Sequence, residues 1–168
     1  MSERIDIAIN ESGATKAVRD LEDLADISQG LSPSLAKSLR GRALRVGINT
    51  DKAVRMVAAK TLEKVVKTTP VDTGAARGNW EVNISAGPPD LHPTREKTDR
   101  DGGGTVAAGQ ATMSSRRNPG QSIWISNGLE YITELDAGSS GQAPAGMTAL
   151  ALLAGKNAAS NINLLGDD

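Results

Sequence analysis

The chain has 168 residues, room for one domain with a modest core. Twenty-three residues are Ala, Phe is absent, and there are only two Trp and one Tyr, so the core is thin for the length. Cysteine is absent too, which excludes disulfides, thiolate metal sites and thiol nucleophiles.

The net charge of −1 conceals a segregated distribution. Residues 1–36 carry seven acids and three bases, and residues 119–168 five acids and one base. Between them, residues 37–67 hold nine bases (Lys37, Arg40, Arg42, Arg45, Lys52, Arg55, Lys60, Lys64, Lys67) against Asp51 and Glu63. Such a segment either pairs with an acidic neighbour or faces a polyanion; the plainer reading is a solvated helix face. The first residues lack the apolar run of a signal peptide, and no stretch approaches the ~18 apolar residues of a membrane helix. A soluble protein made in the cytoplasm, with no membrane partner, is the expectation.

In chain order, Arg4–Asn10 alternates Ile5, Ile7 and Ile9 with Asp6 and Ala8, a half-buried strand pattern. Ala14–Ile27 has helical spacing of Val18, Leu21, Leu24 and Ala25. Ser32-Pro33 is a helix start, and a short helix to Val46 is expected to close or kink near Gly47. Thr50 or Asp51 then caps a second helix whose stripe of Val54, Val57, Ala58, Thr61, Leu62, Val65 and Val66 makes it the spine, ended by Pro70. Asn79–Ser85 reads as a strand with Trp80, Val82 and Ile84 on one face.

Residues 87–121 contain no convincing periodic element and read as a long mobile hairpin or arm, with Gly102-Gly103-Gly104 as its flexible tip. Ser122–Asn127 is a further strand, Tyr131, Ile132 and Leu135 form a helical turn ending at Gly138, and Met147–Leu165 is helical. The expected class is therefore α+β: a long central helix packed on a small antiparallel sheet, with a long extended loop and a C-terminal helix. We expect a single domain over 1–168, organised as 1–30, 31–86, 87–121 and 122–168.

Catalytic options are few. His92 is the only histidine and has no second His with which to share a metal; it reads as a solvated loop residue. Asp72-Thr73-Gly74 after Pro70 reads as an Asx-type turn, with the Asp72 oxygen accepting backbone N–H groups. Asp99 and Asp101 flank an Arg in a Gly-rich loop, where nothing in the sequence would hold them rigid, and Gly102–Gly104 lacks the Lys-Ser/Thr of a phosphate loop. No catalytic, cofactor or metal residue is assigned, and the chain is read as a non-enzyme.

Two segments carry a family resemblance. Thr69-Pro70-Val71-Asp72-Thr73-Gly74 with Arg77-Gly-Asn-Trp80, and Tyr131 followed by Gly138, Gln142, Pro144, Gly146 and Met147, resemble the two signatures of the phage neck and tail-completion (minor tail) family, the lambda tail-completion group. Together they cover roughly residues 50–155. The resemblance implies a structural subunit of the head–tail connector, a neck, tail-completion or tail-terminator ring in the virion, assembled in the host cytoplasm. It further implies a homo-oligomer, expected to be a hexameric ring, beside head-closure or adaptor proteins and tail-tube or terminator proteins, with genomic DNA passing through the lumen. On that reading the motif residues shape the fold. Arg40, Arg42, Arg45, Lys52, Arg55, Lys60, Lys64 and Lys67 face DNA or a neighbouring subunit. Arg95, Lys97, Arg100, Arg116 and Arg117 sit on an inter-ring loop, and deleting residues 95–117 should leave a folded subunit. The alternative is a duplex-DNA-binding accessory or regulatory protein using residues 37–67.

Overall fold

Three strands rich in Ile and Val set the sheet. The computed structural model describes residues 4–10, 12–116 and 120–163. Strands β1 (Ile5–Ile9), β2 (Glu81–Ser85) and β3 (Ser122–Asn127) pair antiparallel in the order β1-β3-β2. Register aligns Ile7 and Val82 on either side of Ile125, and Ile9 and Ile84 on either side of Ile123. Alternation therefore gathers the branched apolar residues on one face and leaves Asp6, Ala8, Trp124 and Asn83 on the other.

The helices are α1 (Ser12–Ser28), α2 (Pro33–Thr68), α3 (Ala75–Gly78), α4 (Gly103–Ser114), α5 (Ile132–Asp136) and α6 (Thr148–Ser160). Helix α2 begins as its sequence predicts: Ser32 is the N-cap, its hydroxyl accepting from Leu35 N, and Pro33 follows inside the first turn. It ends at Thr68, with Thr69 as an extended C-cap just before Pro70. Leu62, Val65 and Val66 from α2, Ile123 and Ile125 from β3, and Ile132 and Met147 are fully buried and form the centre of the core. Helix α1 runs antiparallel along the first half of α2, while α4 and α6 pack on the second half.

Three expectations are corrected. Helix α2 is one uninterrupted element of 36 residues, about 54 Å long, where two helices divided near Gly47 were expected. A glycine costs a helix only ~1 kcal/mol, and flanking Ala43, Val46 and Thr50 are buried, so tertiary packing carries the helix through it. Thr50 and Asp51 accordingly lie inside the helix and do not cap one.

Residues 87–121 are not a structureless arm, because α4 occupies the middle of that segment and packs against α2 and β2. A Cβ on Gly109 would collide with Leu62 and come within 2.7 Å of Val82 Cγ2, so glycine permits this close approach. Met113 of α4 is 3 % exposed, a core residue. Deleting 95–117 would strip that layer from the core, and a folded remainder is no longer expected. The third correction concerns Gly102–Gly104, which forms the start of α4: Gly102 is buried against Val66 and Arg77. The expected C-terminal helix is present as α6; Leu164 and Leu165 lie outside the described residues.

Candidate functional site

The first signature segment is a hub of hydrogen bonds where α2 ends. Pro70 is buried, and Thr69, just before it, is fully buried. Thr69 Oγ1 donates to Val65 O (2.6 Å) and accepts from Trp80 Nε1 (2.8 Å), so the indole is both packed and satisfied. The Arg77 guanidinium donates to the carbonyls of Lys67, Thr69 and Arg100 at 3.1, 2.8 and 2.7 Å. It thus ties the orphan carbonyls at the end of α2 to the following loop. Asn79 Nδ2 donates to Ala75, Thr94 and Lys97 carbonyls, and its Oδ1 accepts from Thr94 N.

Gly74 has φ +95°, and a Cβ there would lie 2.9 Å from Arg100 N, so this turn favours glycine on both counts. The expected Asx turn is replaced: Thr73 Oγ1, not Asp72, accepts from Ala75 N (3.2 Å), and Asp72 is exposed.

The second signature segment closes on the first. Gln142 brackets Val71 with its side-chain amide, Oε1 accepting from Val71 N and Nε2 donating to Val71 O, both at 3.0 Å. Gly138 and Gly146 take positive φ, at 88° and 75°, and Pro144 is exposed between them with its carbonyl turned to Gly138. Asp136 Oδ1 accepts from Met147 N and Thr148 N at 2.8 Å each, so a carboxylate from α5 caps α6. Burial raises the pKa of Asp136, but the Thr148 and Met147 amides outweigh it and hold the carboxyl below its ordinary range.

Asp99 plays the same part for α4. Its Oδ1 accepts from Gly102 N, and its Oδ2 accepts from Thr105 N and Thr105 Oγ1. Burial opposes ionisation, yet the Thr105 and Gly102 donors bring its pKa down. Both capping acids escaped the sequence reading, which took Asp99 as unheld. Asp99 has a local signal, an acid four residues ahead of the glycine-rich start of α4, whereas Asp136 stands 12 residues ahead of α6 and is brought there only by the fold.

The basic residues divide into two groups. Arg55 donates to the carbonyls of Ser114 (3.1 Å) and Arg116 (2.7 Å) and pairs with Asp51 (2.9 Å). Arg40 reaches Asp26 and Gln29 of the α1 end of the hairpin. Arg116, expected on an exposed inter-ring loop, is 1 % exposed; it pairs with Asp51 and donates to Gln121 O at 2.9 and 3.1 Å. A guanidinium spends its donors on main-chain carbonyls and a carboxylate here, so Arg55 and Arg116 are internal anchors, not contact residues.

Lys97 pairs with Glu81. Arg95 pairs with Glu130 and stands over the Tyr131 ring at 5.5 Å. Arg100 lends its carbonyl to Arg77, and Arg117 lies outside the described residues. The first half of α2 presents Lys37, Arg42, Arg45 and Lys52 exposed; further along, Lys60 and Lys67 flank Glu63, and Lys64 is exposed.

His92 is exposed, and among the described residues no group of three or more His, Cys, Asp or Glu is placed to hold a metal. No helix among them is long and apolar enough to cross a membrane. No family model, no curated protein and no solved structure matches the chain.

Proposed function

We propose that this chain is a ring-forming structural subunit of the head–tail junction of a tailed phage, and not an enzyme. The observation that carries the reading is the Gln142–Val71 bracket: the two segments that resemble the neck and tail-completion signatures, 71 residues apart, meet in one hydrogen-bonded contact. Segments that resemble a family separately, and also build one hub, make the resemblance harder to ascribe to chance composition.

A second feature fits ring assembly. The hairpin of α1 with the first half of α2 leaves Leu24, Ile27, Leu31 and Leu35 at its turn uncovered, Ile27 70 % and Leu31 87 % exposed. Contiguous exposed apolar residues mark contact surfaces, and the occupant in this reading is the neighbouring subunit. Such a contact joins unlike patches of two copies, which closes into a ring when the rotation permits, six-fold in our proposal. The adjoining layers are then adaptor or head-closure proteins on one side and tail-tube or terminator proteins on the other.

The test is a cryo-electron reconstruction of purified particles. A closed ring of this chain at the junction, with the 24–35 turn against its neighbour, is the expected result. A well-resolved neck without the chain would overturn the reading, and favour the DNA-binding accessory suggested by the exposed bases of α2.

A further inference from the structure

One face of α2 is left uncovered by α1, α4, α6 and the sheet. Positions 42, 45, 49, 52, 56, 60, 63 and 67, each three or four residues from the last, form a continuous line along it. That line carries Arg42, Arg45, Lys52, Lys60 and Lys67, and among the described residues its one acid is Glu63. Glu63 is claimed by its neighbours: hydrogen bonds from Lys67 and then Lys60 lower its pKa. From Arg42 to Lys67 the line runs about 37 Å, close to one duplex turn.

We infer that this outward face of α2 is a track for the phosphate backbone of duplex DNA. Three physical features select that ligand. Five bases on a rigid, unbroken helix hold charge at fixed spacing, and phosphate neutralisation needs no further anchor. A protein partner would need a buried apolar or aromatic anchor, and the line offers only Met56, 45 % exposed, within a field of Lys that interface cores disfavour. No aromatic residue interleaves with the bases, which removes the stacking that single strands require. The structure also narrows the set of bases available in residues 37–67, because Arg55 is held by the Ser114 and Arg116 carbonyls and by Asp51, and Arg40 lies off the line beside Asp26 and Gln29.

The inference rests on the ring reading only for where the DNA runs, namely along the lumen. The test uses the full chain and a random-sequence 30-base-pair duplex, with affinity measured from 50 to 200 mM salt. A triple variant, Arg45→Gln with Lys52→Gln and Lys60→Gln, should flatten the log–log salt slope by about three and weaken binding at least about tenfold at the lowest salt. Lys97→Gln, a base paired away from the line, should leave the slope unchanged. Far-UV circular dichroism of the variants reports that the helix is intact.

Absence of duplex binding at 50 mM salt, or an unchanged slope in the triple variant, would overturn the track. So would a reconstruction showing the line covered by an acidic neighbour. A neck reconstruction lacking the chain, with the salt slope as expected, would instead overturn the ring reading and leave the track standing.

Discussion

Helix α2 passes through two environments, and the contrast between them explains much of the molecule. Its second half is clamped on several sides, by the sheet, α4 and α6, and buries Ala58, Leu62, Val65 and Val66 completely. Its first half packs against α1, and the side chains it buries are Ala36, Ala43, Val46 and Thr50, with no buried Leu among them. Polar anchors follow the same division. Arg77, Asn79, Asp99, Asp136 and Gln142 all tie together the body around the second half, whereas Arg40 with Asp26 and Gln29 is an exposed link at the far end. One continuous helix thus joins a cross-braced body to a lightly held hairpin. A lightly held element of this kind is the part of the molecule that any bound partner would stabilise most, at the cost of the conformational entropy lost when it is ordered.

The sharpest way to break this comparison is to carve the same volume from both halves. Leu62→Ala should cost about 2–5 kcal/mol by urea unfolding, since its side chain is fully buried and the site is braced on several sides. Leu44→Ala in the hairpin half, where the side chain is 66 % exposed, should change stability by less than about 0.5 kcal/mol. Equal losses would mean that the hairpin is as tightly packed as the body.

Arg116 tests where the division falls. It fastens the segment after α4 to Asp51, at the boundary of the two halves. Arg116→Ala should cost about 3 kcal/mol, because burying half of an ion pair without its partner is expensive; Arg55 beside Asp51 limits the loss. Hydrogen exchange should show faster opening of both α4 and the middle of α2. A loss confined to residues 115–122 would place the boundary elsewhere.

Much of the body was readable from sequence, and the reasons are local. Ile5, Ile7 and Ile9, and Ile123 and Ile125 around Trp124, alternate strictly, and both strands fall where that period places them. Ser32-Pro33 and Pro70 punctuate α2 by chemistry intrinsic to those residues. What could not be read was decided by tertiary contact. Gly47 has the local signature of a break but sits beside buried Ala43, Val46 and Thr50 on one continuous face. Helix α4, with two glycines at its start and no apolar stripe, exists because Gly109 admits Leu62 and Val82 and because Asp99 caps it. The roles of the bases were legible only as composition: nothing in the spacing separates buried Arg116 from exposed Arg45.

Smaller effects sharpen the contrast further. Gln142→Ala removes the two bonds that bracket Val71 at an exposed position, and should cost about 1 kcal/mol, read as a lower thermal midpoint. Ser32→Ala removes the cap of the hairpin half. With its bond already long at 3.4 Å, the loss should be about 0.5 kcal/mol, appearing as faster exchange in residues 33–40 and not in residues 54–66.

The smallest expected effect concerns acid. Asp136 and Asp99 both have folded-state pKa values below their ordinary ones, because each carboxylate accepts backbone amides at a helix start. A depressed carboxylate contributes stability that is fully present above its unfolded-state pKa, about 3.9, and disappears as pH falls through the lower folded value. Acidification from pH 6 to pH 3 should therefore loosen α4 and α6, both in the body. Asp136→Asn keeps an acceptor oxygen for Met147 and Thr148 but cannot titrate, so its thermal midpoint should fall less over that interval than the wild-type midpoint. Parallel pH profiles would show that the Asp136 charge adds nothing beyond its hydrogen bonds, and the cap would then act through geometry alone.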